Sequence, residues 1–179
     1  CKELYQDRFI LLSDGPYSAV PAADLGLEDE EWREISLAIR RDHECAHYFT
    51  RRLFGSMRNN ALDELIADYA GMVGAAGRFR ADWFLRFVGL EGFPLYRAGA
   101  RLDLYRGDPP LSDGAFQALQ GLLVDAATNL ERFDAREPAG PRSPAETALR
   151  IAALASLRLD EIASPQGPDI IAQALERLR

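Results

Sequence analysis

The sequence predicts a mainly α-helical fold with one small strand element, built on an antiparallel helix pair and followed by a helical bundle. Three observations lead there. From about Glu28 to Phe54 the chain carries neither proline nor glycine, and Ile35, Ala38, Ala46, Phe49 and Leu53 recur at helical steps. Ser112 and the run Ser143-Pro144-Ala145-Glu146 carry the marks of helix starts. The β-prone run, Asp7–Leu12, is short and is closed by the turn cluster Ser13-Asp-Gly-Pro16.

In chain order, Asp7–Leu12 is the expected strand. The first helix then runs from about Glu28 to Phe54 and stops at Gly55. Its apolar residues form one flank, while Ser36, His43, His47 and Thr50 form the adjoining flank, so the histidines are expected to border the core without occupying its centre. Cys45 points away from them and is expected to be buried packing. Gly55–Asn60 forms a hairpin loop, with Asn59 or Asn60 capping a second helix that reaches about Ala76. Leu62, Leu65, Ile66, Tyr69 and Val73 make its apolar stripe. A separate face carries Glu64 and Asp68 four residues apart, lined otherwise by the small residues Ala67, Gly71 and Ala75.

Arg80–Leu90 reads as a further helix whose Trp83, Phe84, Phe87 and Val88 belong to the core, followed by a stretch rich in Gly and Pro. Ser112 opens a helix with a wide apolar stripe, Phe116, Leu119, Leu122, Leu123, Ala126 and Leu130. Ser143 caps another that runs to about Leu157. After a break at Ser164–Pro168, Asp169 caps a last helix with Ile170, Ile171, Ala174 and Leu178 inward.

At 179 residues and 47% hydrophobic content the chain can bury one sizeable core, so a single unit is expected. Within it, about 28–76 forms a helical core and about 112–179 a supporting helical subdomain. A net charge of −7 argues against nucleic acid as a partner, because phosphate binding needs concentrated Lys and Arg. The basic cluster Arg40, Arg41, Arg51 and Arg52 reads either as a solvated helix face or as a patch that attracts an acidic substrate. No apolar run approaches the roughly 18 residues of a membrane span. The chain's two cysteines, Cys1 and Cys45, are not expected to pair, which leans toward a reducing, cytoplasmic compartment. The chain begins at Cys1 without a methionine, which fits a removed leader or an acylated cysteine.

The chemistry concentrates in His43-Glu44-Cys45-Ala46-His47, which contains both histidines of the chain. Residues four apart share a helix face, so the two imidazoles can reach one cation with Glu44 beside them, the H-E-x-x-H signature of catalytic zinc. Glu64, on a face free of bulk, is the expected third ligand. Asp68 is then the expected outer partner of one histidine, fixing its tautomer. Three protein ligands leave a position open for chemistry, whereas a structural zinc site is closed by four.

H-E-x-x-H followed one hairpin later by Asp63-Glu64-Leu65-Ile66-Ala67-Asp68 resembles the gluzincin metallopeptidases. In that clan the position of Asp63 is more often asparagine. The resemblance covers roughly Glu34 to Gly74. It implies a zincin-like core, Zn²⁺ on His43, His47 and Glu64, Glu44 as general base, Asp68 as an orienting carboxylate, and a peptide or protein substrate. By analogy, Asp7–Leu12 would be the edge strand on which an extended substrate pairs. Such a site would hydrolyse an amide through a metal-activated water, with Glu44 taking the proton and passing it to the leaving amine. The oxyanion donor is left open among Tyr48, Tyr69, Tyr96, Arg101 and Tyr105. Two alternatives stand beside this reading: a catalytically silent, protease-like metal-binding module that recognises a protein partner, and a purely structural helical domain.

Overall fold

The computed structural model describes residues 9–55, 60–140 and 142–179. Their regular structure is helical: α1 (Asp29–Phe54), α2 (Asn60–Ala76), α3 (Ala81–Val88), α4 (Asp113–Asp134), α5 (Pro144–Ala155), α6 (Leu159–Ala163) and α7 (Gly167–Glu176). Short 3-10 turns lie at Tyr17–Ala19, Ala22–Leu25 and Arg101–Tyr105.

Local chemistry accounts for most of the boundaries. Asp29, Glu30 and Glu31 open α1 and Arg51 and Arg52 close it, each set opposing the charge of the helix dipole at its end. Gly55 ends the helix at φ +76°, a backbone conformation that a residue with a Cβ rarely adopts. Ser112 and Ser143 cap α4 and α5, their hydroxyls accepting from Ala115 N–H and Glu146 N–H. The last helix starts earlier than expected, so Asp169 lies within its first turn instead of capping it. Helix α6 was not expected; its start is held by Arg158 N–H donating to the Glu161 carboxylate at 2.8 Å.

The expected strand does not occur among the described residues. Phe9–Leu12, the described part of Asp7–Leu12, is irregular and exposed, and no strand occurs among the described residues to pair with it. A lone extended segment leaves its backbone groups to water and has no ladder to join. The expected Asn59 cap and most of the hairpin loop lie outside the described residues. No helix among them is long and apolar enough to cross a membrane.

Helix α2 is the central element. It is buried on nearly every side, as its near-continuous apolar composition demands, with Leu65, Tyr69 and Met72 fully enclosed. Helices α1 and α5 pack against it, and α3, α6 and α7 gather on α4. Helices α1 and α2 run antiparallel, with His47 beside Asp63 and His43 beside Asp68. Further along, a Cβ on Gly71 would lie 2.7 Å from the Ile39 carbonyl oxygen, so α2 lies directly on the α1 backbone there. The small-residue face thus does what its composition suggests, letting short side chains from the two helices meet.

On α1 the buried face is shifted from the expected apolar flank toward the polar one. The buried residues are Trp32, Ser36, Ile39, His43, Ala46, His47 and Thr50, while Ile35, Ala38 and Phe49 are only partly covered and Leu53 is exposed. The polar flank is the inner one because α2 offers it carboxylates to bond, and so the histidines sit in the interface itself. Cys45 is exposed, not buried. It lines a groove of about 420 Å³ between α1, α2 and α5, on a different flank from Glu44.

A second polar network braces the far side of α2. Asp134 accepts from Tyr69 Oη at 3.1 Å, Phe79 N–H at 2.9 Å and Arg142 Nη2 at 2.7 Å. The buried Arg150 adds ion pairs to Glu137 and Glu146. Each buried charge is met by an opposite one, as burial requires.

Alanine in place of glycine in a free helix stabilises by roughly 0.8–1.0 kcal/mol, whereas overpacking a filled site costs about 1–3 kcal/mol. At Gly71 the obstacle is backbone and cannot rotate away, so Gly71→Ala should lower the unfolding free energy by about 1 kcal/mol or more. Gly114→Ala, which meets nothing within 4 Å, should leave it unchanged or raise it. Urea denaturation of the two variants, compared with the parent, checks the contrast.

Candidate metal centre

The α1–α2 interface gathers two imidazoles and three carboxylates. His43 Nε2 and His47 Nε2 are 2.9 Å apart. Glu64 lies across both, with Oε2 3.5 Å from His43 Nε2 and Oε1 3.4 Å from His47 Nε2. These three residues form a cluster with one ligand atom each able to meet at a common point, and all three side chains have little exposure. Tetrahedral zinc with bonds near 2.0–2.1 Å separates its ligand atoms by about 3.3–3.5 Å. Both carboxylate contacts match that edge; the nitrogen pair is tighter.

The outer ring nitrogens decide what the inner ones present. His43 Nδ1 lies 2.8 Å from Asp68 Oδ1, and His47 Nδ1 lies 3.0 Å from Asp63 Oδ2. An ionised carboxylate only accepts, so in each neutral ring the proton belongs on Nδ1 and a lone pair remains on Nε2. Two such lone pairs and a carboxylate then converge in a buried space. Without a cation between them they repel, and either a proton or a metal ion can supply the missing charge. The chemistry of the donor set therefore fits zinc, with nitrogen and oxygen ligands only.

Electrostatics agree. Burial by itself would lower the pKa of His47, but hydrogen bonds to Asp63 and Glu64 overcome it and push the value up to about 10. Burial would raise Glu64, yet His47 and Arg101 hold it below its ordinary value. Asp68 is fully enclosed, and Arg101 and His43 outweigh that burial to keep its carboxyl far below the usual range.

Arg101 comes from the 3-10 turn Arg101–Tyr105, anchored by the enclosed side chain of Leu102 and by Gly99 N–H donating to Asp103 at 2.7 Å. Its guanidinium forms a close pair with Asp68, and Nη1 also donates to Tyr17 Oη and Ser18 Oγ, each at 3.1 Å. Its two terminal nitrogens are thus engaged, while Nε has no hydrogen-bond partner and lies 4.0 Å from Glu64 Oε2. Of the other candidates for the oxyanion donor, Tyr69 bonds Asp134 on the far side of α2 and Tyr96 bonds the Ala100 carbonyl. Tyr105, on the Arg101 turn, faces Glu64: burial first, then this carboxylate, raise its hydroxyl pKa. Tyr48 stands on the exposed flank of α1.

Glu44 is half-buried on the flank beside His47, and its side chain makes no hydrogen bond or ion pair among the described residues. The basic cluster does not act as one patch. Arg40 donates to the carbonyls of Ser13, Gly15 and Pro16, Arg41 pairs with Asp42, and Arg51 and Arg52 lie exposed a turn or more away.

The structure thus brings together His43, His47, Glu64 and Asp68, as the motif spacing suggested, with Glu44 at the rim. It adds Asp63, Tyr17 and the pairing of Arg101. Asp63 had a signal, since it occupies the motif position before the third carboxylate; Tyr17 had none, because nothing local ties it to a helix that begins twelve residues later.

A model described as a family of unknown function, DUF7005, matches residues 1–166, and the chain belongs to that family. No curated protein and no solved structure matches it.

His47 gains a proton on folding, so in chelator-treated protein its contribution to stability is complete below its unfolded pKa near 6.5 and is lost as pH rises through about 10. Glu64 and Asp68 act oppositely, their contribution being lost as pH falls below the ordinary carboxylate range. Thermal unfolding midpoints of metal-free protein should accordingly decline between pH 6.5 and 10. A flat profile over that window would show that His47 holds no such proton.

Proposed function

We propose that this member of the DUF7005 family is a zinc-dependent metallopeptidase with a zincin-like core. The observation that carries the reading is the convergence of His43 Nε2, His47 Nε2 and the Glu64 carboxylate within 3.5 Å of one another, each imidazole backed by its own aspartate. His43, His47 and Glu64 would hold the ion, and Asp68 and Asp63 would keep both rings in the tautomer that ligates. Bound zinc supplies a Lewis acid that acidifies water and polarises a carbonyl.

The remaining work falls to the chain itself. Glu44 has no competing partner among the described residues, so its carboxylate is available to accept a proton from the attacking water and return it to the departing amine. As the only motif carboxylate that is neither enclosed nor bonded, it is the one suited to moving a proton. Tyr105 is the hydroxyl we assign to the developing oxyanion, since of the tyrosines considered it is the one facing Glu64. Arg101 keeps Asp68 ionised so that Asp68 can go on accepting from His43. An extended peptide would have to approach along the Glu44 flank of α1, where Leu37 and Tyr48 are both partly exposed.

A second reading is supported by one feature. The ligand side chains have little exposure, and the Tyr17 and Arg101–Tyr105 turns crowd them. A centre so enclosed would suit a silent metal-binding module that recognises a partner.

Metal analysis of protein purified without chelator, followed by a scan of peptide substrates, separates these readings from each other. The peptidase reading expects one zinc per chain and hydrolysis that Glu44→Gln lowers by about 10²–10⁴-fold without loss of zinc. His47→Ala should instead lose the metal. Zinc retention with equal, background turnover in parent and Glu44→Gln protein would favour the silent module, and the absence of zinc would remove both.

A further inference from the structure

We propose that Tyr17 is a positioning residue of the metal centre, and that through it the docking of the segment Ser13–Val20 is coupled to metal retention. The inference rests on the zinc site of the preceding reading and not on peptidase activity.

The segment is delivered to the site by the same helix face that carries the ligands. Arg40 donates to the carbonyls of Ser13 at 2.6 Å, Gly15 at 3.1 Å and Pro16 at 3.4 Å. Ser36 Oγ accepts Tyr17 N–H at 3.1 Å, and Trp32 Nε1 donates to the Val20 carbonyl at 2.8 Å. Trp32, Ser36 and Arg40 are spaced one helical turn apart, and His43 and His47 continue that line. Between these clamps Ser18 and Ala19 hold φ of +52° and +57°, a left-handed conformation uncommon for residues with a Cβ. The turn is fixed from both ends and by Arg101 on Ser18 Oγ. Its consequence is to aim the Tyr17 ring inward, edge-on to Phe87 with centroids 5.0 Å apart.

The hydroxyl of Tyr17 lies where the charges of the centre meet. It donates to Asp68 Oδ1 at 2.6 Å, and its oxygen is 2.8 Å from His43 Nδ1 and 3.1 Å from Arg101 Nη1. Asp68 and Arg101 form a close ion pair, and the phenol is the uncharged link between that pair and the imidazole. It gives Asp68 a third donor beside His43 and Arg101 and offers the His43 N–H a second acceptor, which restricts both the rotation of the carboxylate and the tilt of the ring. Tyr17 is 4% exposed and Asp68 is wholly enclosed. Water cannot easily take over these bonds when the hydroxyl is removed. Packing against Phe87 needs only the ring; the bonding pattern needs the oxygen.

Coupling of this kind is reciprocal. If a docked Ser13–Val20 segment strengthens metal binding, bound metal must strengthen the docking by the same factor.

Tyr17→Phe keeps the ring and removes the oxygen. Zinc affinity measured by competition with a chromogenic chelator should fall by about 10–100-fold, the range found when partners behind metal ligands are lost. The visible spectrum of the Co²⁺-substituted protein should change, while far-ultraviolet dichroism and cooperative melting are retained. Hydrogen exchange at Tyr17, Ser18, Ala19 and Val20 in the parent protein should slow on zinc addition, a test that stands even if the variant does not fold. Affinity within about twofold of the parent, an unchanged cobalt spectrum, or exchange indifferent to zinc would each overturn the proposal. A folded parent that takes up no zinc would overturn the metal reading together with it, whereas tight zinc in both parent and variant would overturn this inference alone.

Discussion

The site depends on how closely α1 and α2 approach. Side chains as short as aspartate and histidine meet across a helix interface only where the backbones are drawn together, and the missing side chain of Gly71 against the Ile39 carbonyl oxygen is what permits it here. From that contact the antiparallel register follows toward the loop, setting Asp68 beside His43 and Asp63 beside His47. One turn of slippage would break both pairs at once. Packing of the two helices therefore fixes the positions of these side chains.

Burial then imposes a charge problem. Asp63, Glu64 and Asp68 bring three carboxylates into a space where the nearby arginine, Arg101, is already held by Asp68. Desolvation disfavours every one of these charges, and only mutual pairing makes their burial tolerable. A proton on His47 meets part of the deficit, and a divalent ion would meet more of it. The same rule operates on the far side of α2, where Asp134 is enclosed but has Tyr69, Phe79 N–H and Arg142 as donors. The two networks differ in one respect: around Asp134 the donors are protein groups, whereas at the histidines the acceptors outnumber the donors. That imbalance is what supports the proposed reading of the histidine cluster as a metal site.

Elements outside the helix pair act on the site at its periphery. The Arg101–Tyr105 turn brings a guanidinium and a phenol from a stretch with no regular secondary structure around it, and the Tyr17–Ala19 turn brings another phenol from the other end of the chain. Both turns are held by buried anchors, Leu102 and Tyr17 itself, so the centre is walled by segments that are short but not loose. Membership of a family of unknown function leaves this arrangement of side chains as the main support for a hydrolytic role.

Much of this was legible in the residues themselves. Periodicity and caps located α1, α2, α4 and α5, because their stop and start signals are local: Gly55, Ser112, and Ser143 with Pro144. The spacing of His43 with His47 and of Glu64 with Asp68 placed each pair on one helix face, since a helix repeats every 3.6 residues whatever surrounds it. Three things were decided only by the folded chain. The polar flank of α1 turned inward because α2 offers it bonding partners, an outcome invisible to a count of apolar residues. Asp7–Leu12, β-prone by composition, forms no strand in its described part because a strand needs a neighbour to pair with. Tyr17 and Arg101 reach Asp68 across 51 and 33 positions of sequence, and no local rule carries information over that distance; it arises when packing brings separate segments into one buried space whose charges have to balance.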